Sequence, residues 1–206
     1  YRDEQYGHCI APVGGGMEHQ TMTTLGSFNF ELVAHELAHQ WFGDYITCSN
    51  WQDIWINEGF ASYSEYLALE YLSTDYRKRE WLQEAFALIT SEPGGSVFVP
   101  EEQKAKSSRL FNYLLSYQKG AYLLHMIRHE MGDDIRYFEF LRHYLDLFSD
   151  STASAIDFKT VLEDFTERDF TGFFHQWYYG EGYPILDLKW RQHGDSLIID
   201  TGQTAT

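Results

Sequence analysis

His35 and His39 stand four residues apart with Glu36 between them, in a stretch where Leu32, Val33, Leu37 and Trp41 recur at helical spacing. On a helix, residues four apart project from one face. Two imidazoles placed in this way chelate one ion, and zinc suits them because it takes imidazole nitrogen in a tetrahedral set. A catalytic zinc held by two histidines is still one protein ligand short. Glu58 is the candidate for that place. It follows His39 after eighteen residues, in the stretch Trp55-Ile56-Asn57-Glu58-Gly59-Phe60-Ala61. That distance suffices for a turn out of one helix and a return along the next. The plain alternatives are two surface histidines and an ordinary acid in the first turn of a helix. Together the three residues and their spacing are harder to dismiss than any one of them.

The remaining periodicity is mostly helical. Residues 1–26 are rich in Gly and Thr and read as strand and loop. Helix is predicted over 30–42, with Ser27 or Asn29 as N-cap and Gly43 as the stop. Further helices are predicted over 55–72, 75–91, 118–131, 134–148, 155–165 and 169–179, with irregular loop over 96–116 after Pro93-Gly94-Gly95. From Pro184 the pattern alternates through Leu186, Leu188 and Trp190. It then turns at His193-Gly194-Asp195 and resumes with Leu197 and Ile199, which is the signature of a β-hairpin. The expected architecture is mainly α, with residues 1–183 as one domain and 184–206 as the start of a following β segment.

Composition narrows the partners. The 206 residues carry a formal charge of −16, which repels nucleic acid and anionic membrane, so neither is expected as a partner. Apolar residues make up 44% and aromatics 17%, enough for a large core. There is no run of eighteen apolar residues to span a membrane. The two cysteines, Cys9 and Cys48, form no CxxC pair and leave the compartment open. The chain opens at Tyr1 without an initiator methionine and reads as a piece of a longer protein.

The stretches His35–Trp41 (HELAHQW) and Asn57–Ala61 (NEGFA), with the gap between them, resemble the gluzincin metallopeptidases of the aminopeptidase N and leukotriene hydrolase type. Gly15–His19 (GGMEH) is similar to that family's G-x-M-E-N exopeptidase motif, and Tyr117–Ala121 (YQKGA) to its Y-x-K-G-A segment. The closing Trp177–Pro184 looks like the end of the same catalytic domain. The resemblance implies a thermolysin-like, mainly helical catalytic domain with one zinc per chain and peptide substrates. It also implies a preceding β domain and later domains outside this chain. Two features depart from the family pattern: His19 stands where the motif usually has Asn, and the interval from Glu18 to His35 is short.

This reading assigns His35, His39 and Glu58 as zinc ligands and Glu36 as the general base. Tyr117 is nominated, by the resemblance alone, as a donor to the developing oxyanion. Gly15 and Gly16 would let an extended substrate backbone lie against the segment, with Met17 beside it and Glu18 facing the substrate's α-ammonium. Asp44, Asp53 and Asn57 are candidates to steady the imidazoles, and Trp41, Trp51 and Trp55 to pack around the metal helices. The expected activity is removal of N-terminal residues from peptides. The rivals are an epoxide hydrolase of the same family and a non-catalytic zinc- or peptide-binding module. Intact Glu36 speaks against the module, which would have no use for a base.

Overall fold

The computed structural model describes residues 4–205. The Gly- and Thr-rich start forms a small sheet of β1 (Gly7–Ile10), β2 (Gly16–Met17) and β3 (Met22–Leu25), in the order β1-β3-β2. β1 runs parallel to β3, and β2 antiparallel to it. The fully buried Thr23 and Leu25 anchor the central strand. β2 lies at the edge, with one side paired and the other turned away from the sheet.

The histidine pair lies on α1 (Phe30–Ala38), started by Asn29, whose side chain accepts from the Leu32 N–H at 3.1 Å. The helix ends at Ala38 and not at Phe42 as the periodicity predicts. The Gln40 and Trp41 amides reach only three residues back, to Leu37 and Ala38, so the last turn tightens. Gly43, at φ +141°, then turns the chain away. It leads into β4 (Ile46–Cys48), which pairs in parallel with the distant β5 (Ser151–Ala153). Neither three-residue strand is long enough to show alternation in the sequence.

α2 (Trp55–Leu72) is the central helix, and α3 (Asp75–Ser91) follows it after the Thr74 N-cap. The expected loop beyond Pro93 contains the short α4 (Ser107–Leu110) and then a π-helical turn, Tyr113–Lys119, that runs directly into α5 (Gly120–Met131). α2 and α5 cross at two glycines. A Cβ on Gly59 would stand 3.0 Å from the Gly120 carbonyl carbon, so the backbones touch there and no side chain fits between them. Gly132, at φ +67°, closes α5 in the left-handed conformation. α6 (Asp134–Leu147), α7 (Ala155–Thr166, with a Ser154–Asp157 capping box) and α8 (Thr171–Trp177) complete the helical body.

The core is aromatic. Trp55, Tyr63, Tyr137, Phe140, Tyr144, Phe158 and Tyr178 are all fully buried. Burying one such side chain contributes on the order of 1.5–3 kcal/mol. Of the three tryptophans expected around the metal helices, only Trp55 is core; Trp41 and Trp51 are 45% and 56% exposed. The predicted hairpin is present as β6 (Pro184–His193) and β7 (Ser196–Ala205), in antiparallel register from Pro184↔Ala205 to His193↔Ser196. Both cysteines are free, Cys9 exposed and Cys48 half-buried. Among the described residues no helix is long and apolar enough to cross a membrane.

Candidate active site

α1 and α2 pack side by side and bring the three sequence-predicted ligands to one point. His35 Nε2 lies 3.2 Å from His39 Nε2, and each lies 3.4 Å from Glu58 Oε2. All three side chains are buried. The other ring nitrogens are already committed. His35 Nδ1 meets Glu65 Oε1 at 2.8 Å, and His39 Nδ1 meets the Phe42 carbonyl at 2.8 Å. Donating there holds both imidazoles in the tautomer with an open lone pair on Nε2. A tetrahedral zinc about 2.0–2.1 Å from each N or O donor requires donors about 3.3–3.4 Å apart. The observed spacings, and the N,N,O chemistry of the set, fit that ion.

Charge in the cluster follows the same arrangement. Burial acts against a charged His35, yet the carboxylates of Glu58 and Glu65 override it and raise the imidazole to about 10. Burial likewise opposes a charged Glu58, but hydrogen bonds from His35 and His39 pull it down to about 2.

Glu36 points to the same cleft without joining the three ligands. It is 4% exposed, and its Oε2 is buried with no hydrogen-bond partner. Burial raises its carboxyl to about 6 against the pull of His35 and His39. Glu18 follows edge strand β2 and is half-buried. Donor atoms of Glu18, Glu36 and His39 lie within 4.8 Å of one another. Tyr117 enters from the π-helical turn, its ring stacked on His35 at 5.9 Å between centroids and 12° between planes. Burial and the neighbouring Glu58 push its hydroxyl far above the ordinary tyrosine range, so it is a proton donor throughout the physiological range. Gly14, Gly15, Gly16, Met17, Glu18, the ligands, Glu36 and Tyr117 line one cleft of about 690 Å³. Every residue predicted to hold the metal or to act on the substrate thus lines this cleft.

The expected supports of the imidazoles are not the ones used. Asp53 accepts from the Tyr178 hydroxyl, and Asn57 Oδ1 accepts from the Cys48 amide. Asp44 has a buried Oδ2 without a partner, and its carboxyl is raised to about 6 by burial and then by Glu18. His39 is steadied instead by the Phe42 carbonyl, and His35 by Glu65. It is seven residues, two turns, beyond Glu58 on α2, and its second oxygen accepts from the Trp81 indole at 3.0 Å.

The chain matches the Peptidase family M1 domain over residues 16–177. It is 34% identical over 161 residues to an aminopeptidase N of Lactobacillus delbrueckii subsp. lactis, covering 76% of this chain and 19% of that one. It is 31% identical over 166 residues to a glutamyl aminopeptidase of Sus scrofa, covering 77% and 17%. The chain therefore spans about a fifth of the length of these relatives. Its structure matches an M1 zinc metallopeptidase of Deinococcus radiodurans with a TM-score of 0.66 at 30% identity, over 78% of this chain and 35% of that one. It also matches leukotriene A4 hydrolase of Saccharomyces cerevisiae with a TM-score of 0.76, over 86% and 32%; at 21% identity that likeness speaks for the fold alone. The mainly helical body is the catalytic-domain fold of these enzymes, and zinc is the metal of the solved peptidases among them. With more than half its length matched by one family and its buried donors spaced for that family's metal, the chain belongs to peptidase family M1.

Proposed function

We propose that this chain is the zinc-holding part of an aminopeptidase, with His35, His39 and Glu58 as ligands and Glu36, Tyr117 and Glu18 acting on the substrate. The observation that carries this reading is the bare carboxylate oxygen of Glu36, buried beside three converging donors. Bound zinc would supply Lewis-acid polarisation of the scissile carbonyl and acidify the attacking water. Glu36 Oε2, which has no other partner, takes the proton from that water as its oxygen bonds to the carbonyl carbon. The same carboxyl then delivers the proton to the departing amine nitrogen as the C–N bond breaks. The Tyr117 hydroxyl donates to the carbonyl oxygen as it becomes anionic.

Two features support exopeptidase action. The free edge of β2 offers backbone groups to an extended peptide, in the manner of an added strand. Glu18, directly after that edge, can accept from the α-ammonium and so count cleavage from the N-terminus. The test compares full-length, zinc-loaded protein on aminoacyl chromogenic amides and on their N-acetylated counterparts. Release from the free amines only is the expected result. Equal rates on both would remove Glu18 from this role, and no release from either would remove the peptidase reading.

A further inference from the structure

Lys119 ends the π-helical turn that carries Tyr117, and it is only 8% exposed. Its ammonium donates to two carbonyls, those of Gly95 and Gly180, each at 3.1 Å. Both partners are neutral, and Glu181 attracts the ammonium without a hydrogen bond between them. A buried charge held in this way is a poor stabiliser of a fold, because no paired carboxylate offsets its desolvation. A methionine of similar volume would fill the space without that penalty. What the ammonium does supply is position, since two fixed carbonyls determine where it stands.

The two carbonyls come from distant parts of the chain. One belongs to the break Pro93-Gly94-Gly95, the other to the closing stretch Trp177–Pro184. These parts are joined to each other by Gly182 N–H to the Pro93 carbonyl at 2.8 Å and by Phe98 N–H to the Tyr178 carbonyl at 3.1 Å. Gly95, at φ +92°, touches the turn a second time: a Cβ on it would stand 2.6 Å from Leu115 Cδ1. Leu115 and Lys119 are four residues apart and share one side of the turn. Tyr117, midway between them, projects from the other side into the cleft. There its half-buried ring meets His35 and also Tyr113, the latter at 5.9 Å between centroids and 39° between planes. The turn is thus anchored from behind and reads out in front.

We infer that Lys119 is a positioning residue for Tyr117: its grip on the Gly95 and Gly180 carbonyls fixes the rotation of the π-helical turn, and with it the place of the tyrosine hydroxyl in the cleft. This rests on the proposed role of Tyr117. It gives the closing stretch Trp177–Pro184 a part in chemistry that it does not touch.

A double-mutant cycle of Lys119→Met and Tyr117→Phe in the full-length, zinc-loaded protein tests the inference, with kcat expressed per bound zinc. Lys119 contacts none of the three ligands, so zinc content should stay at the wild-type level. Displacing a reacting group by about 1 Å costs about 10²-fold, and Lys119→Met should lose that much in kcat. Its KM should stay within about threefold, because the hydroxyl acts on the transition state. Once Tyr117→Phe has removed the hydroxyl there is nothing left to position, so adding Lys119→Met should change kcat by less than about twofold. Two losses that simply multiply would overturn the inference. So would a Lys119→Met variant with a lowered melting temperature and normal kcat.

If Lys119→Met yields too little folded protein, Lys119→Gln takes its place in the cycle. Its amide keeps a donor one bond short of the two carbonyls, so a smaller loss is expected, again absent without the Tyr117 hydroxyl. A loss of equal size with and without that hydroxyl would overturn the inference. Failure of the peptidase reading would appear separately, as inactive wild-type protein. A crystal structure of the Lys119 variant then decides: the Tyr117 ring should leave its stacked place on His35, and an unmoved ring would overturn the inference.

Discussion

At the scale of single residues, the site divides into groups that hold and groups that react. On the proposed function Glu36 reacts, so Glu36→Gln should keep the zinc and lose turnover by about 10²–10⁴-fold, the usual contribution of a positioned acid–base group. Metal analysis and kcat on the same preparation check this; near-normal kcat at wild-type zinc content would remove the base assignment. Tyr117 also reacts. Its loss in Tyr117→Phe should cost about 10²–10³ in kcat, as for other single oxyanion donors. The melting temperature should barely move, because the ring and its stacking on His35 survive. A lowered melting temperature with normal kcat would make Tyr117 a packing residue. That His35, His39 and Glu58 would come together was legible in the sequence, because chelation of one ion imposes a spacing on a helix and on the turn to the next; Glu36 was legible by its place between the histidines. Tyr117 was legible only through a family pattern, since one tyrosine among fifteen carries no signal of its own. Glu65 was not legible. α2 offers Glu58, Glu65 and Glu70, and only its packing against α1 and Trp81 shows which acid meets an imidazole.

At the scale of elements, α2 carries a ligand and the support of another ligand on one stripe, and its neighbours fix where that stripe faces. Glu65→Gln should weaken zinc binding by about 10–100-fold while leaving the three ligands intact, the usual cost of losing a partner behind a metal-bound imidazole. Competition against a chelator of known affinity measures it; unchanged affinity would show that His35 needs no such support. The crossing of α2 and α5 makes a separate demand. Gly120→Ala should destabilise the fold by about 1–3 kcal/mol, the range for overpacking, because its Cβ would lie 3.1 Å from Gly59 Cα. Denaturant midpoints read this directly, and a neutral result would mean that the helices can part. Most helices were legible because an apolar stripe runs along one face, as on α6 and α7. The early end of α1 at Ala38 was not, because Trp41 continues the apolar period although it is 45% exposed. The π-helical turn at Tyr113–Lys119 was hidden for a similar reason: its wider spacing resembles no regular period.

At the scale of the whole molecule, the cleft lies where three separate parts of the chain meet. The edge strand brings Glu18, the helix pair brings the donors and the base, and the π-helical turn brings Tyr117. None of these parts could form the site alone, which is why the motifs are scattered over residues 14–121 of the sequence. On the proposed function the centre of the cleft is a zinc site on the helix pair, and that is the claim to test first. A crystal of the zinc-loaded full-length protein, with anomalous data collected at the zinc edge, tests it directly. The account predicts one strong peak per chain, about 2.0–2.2 Å from His35 Nε2, His39 Nε2 and a carboxylate oxygen of Glu58. Zinc bound elsewhere, with these three side chains left to one another, would contradict it.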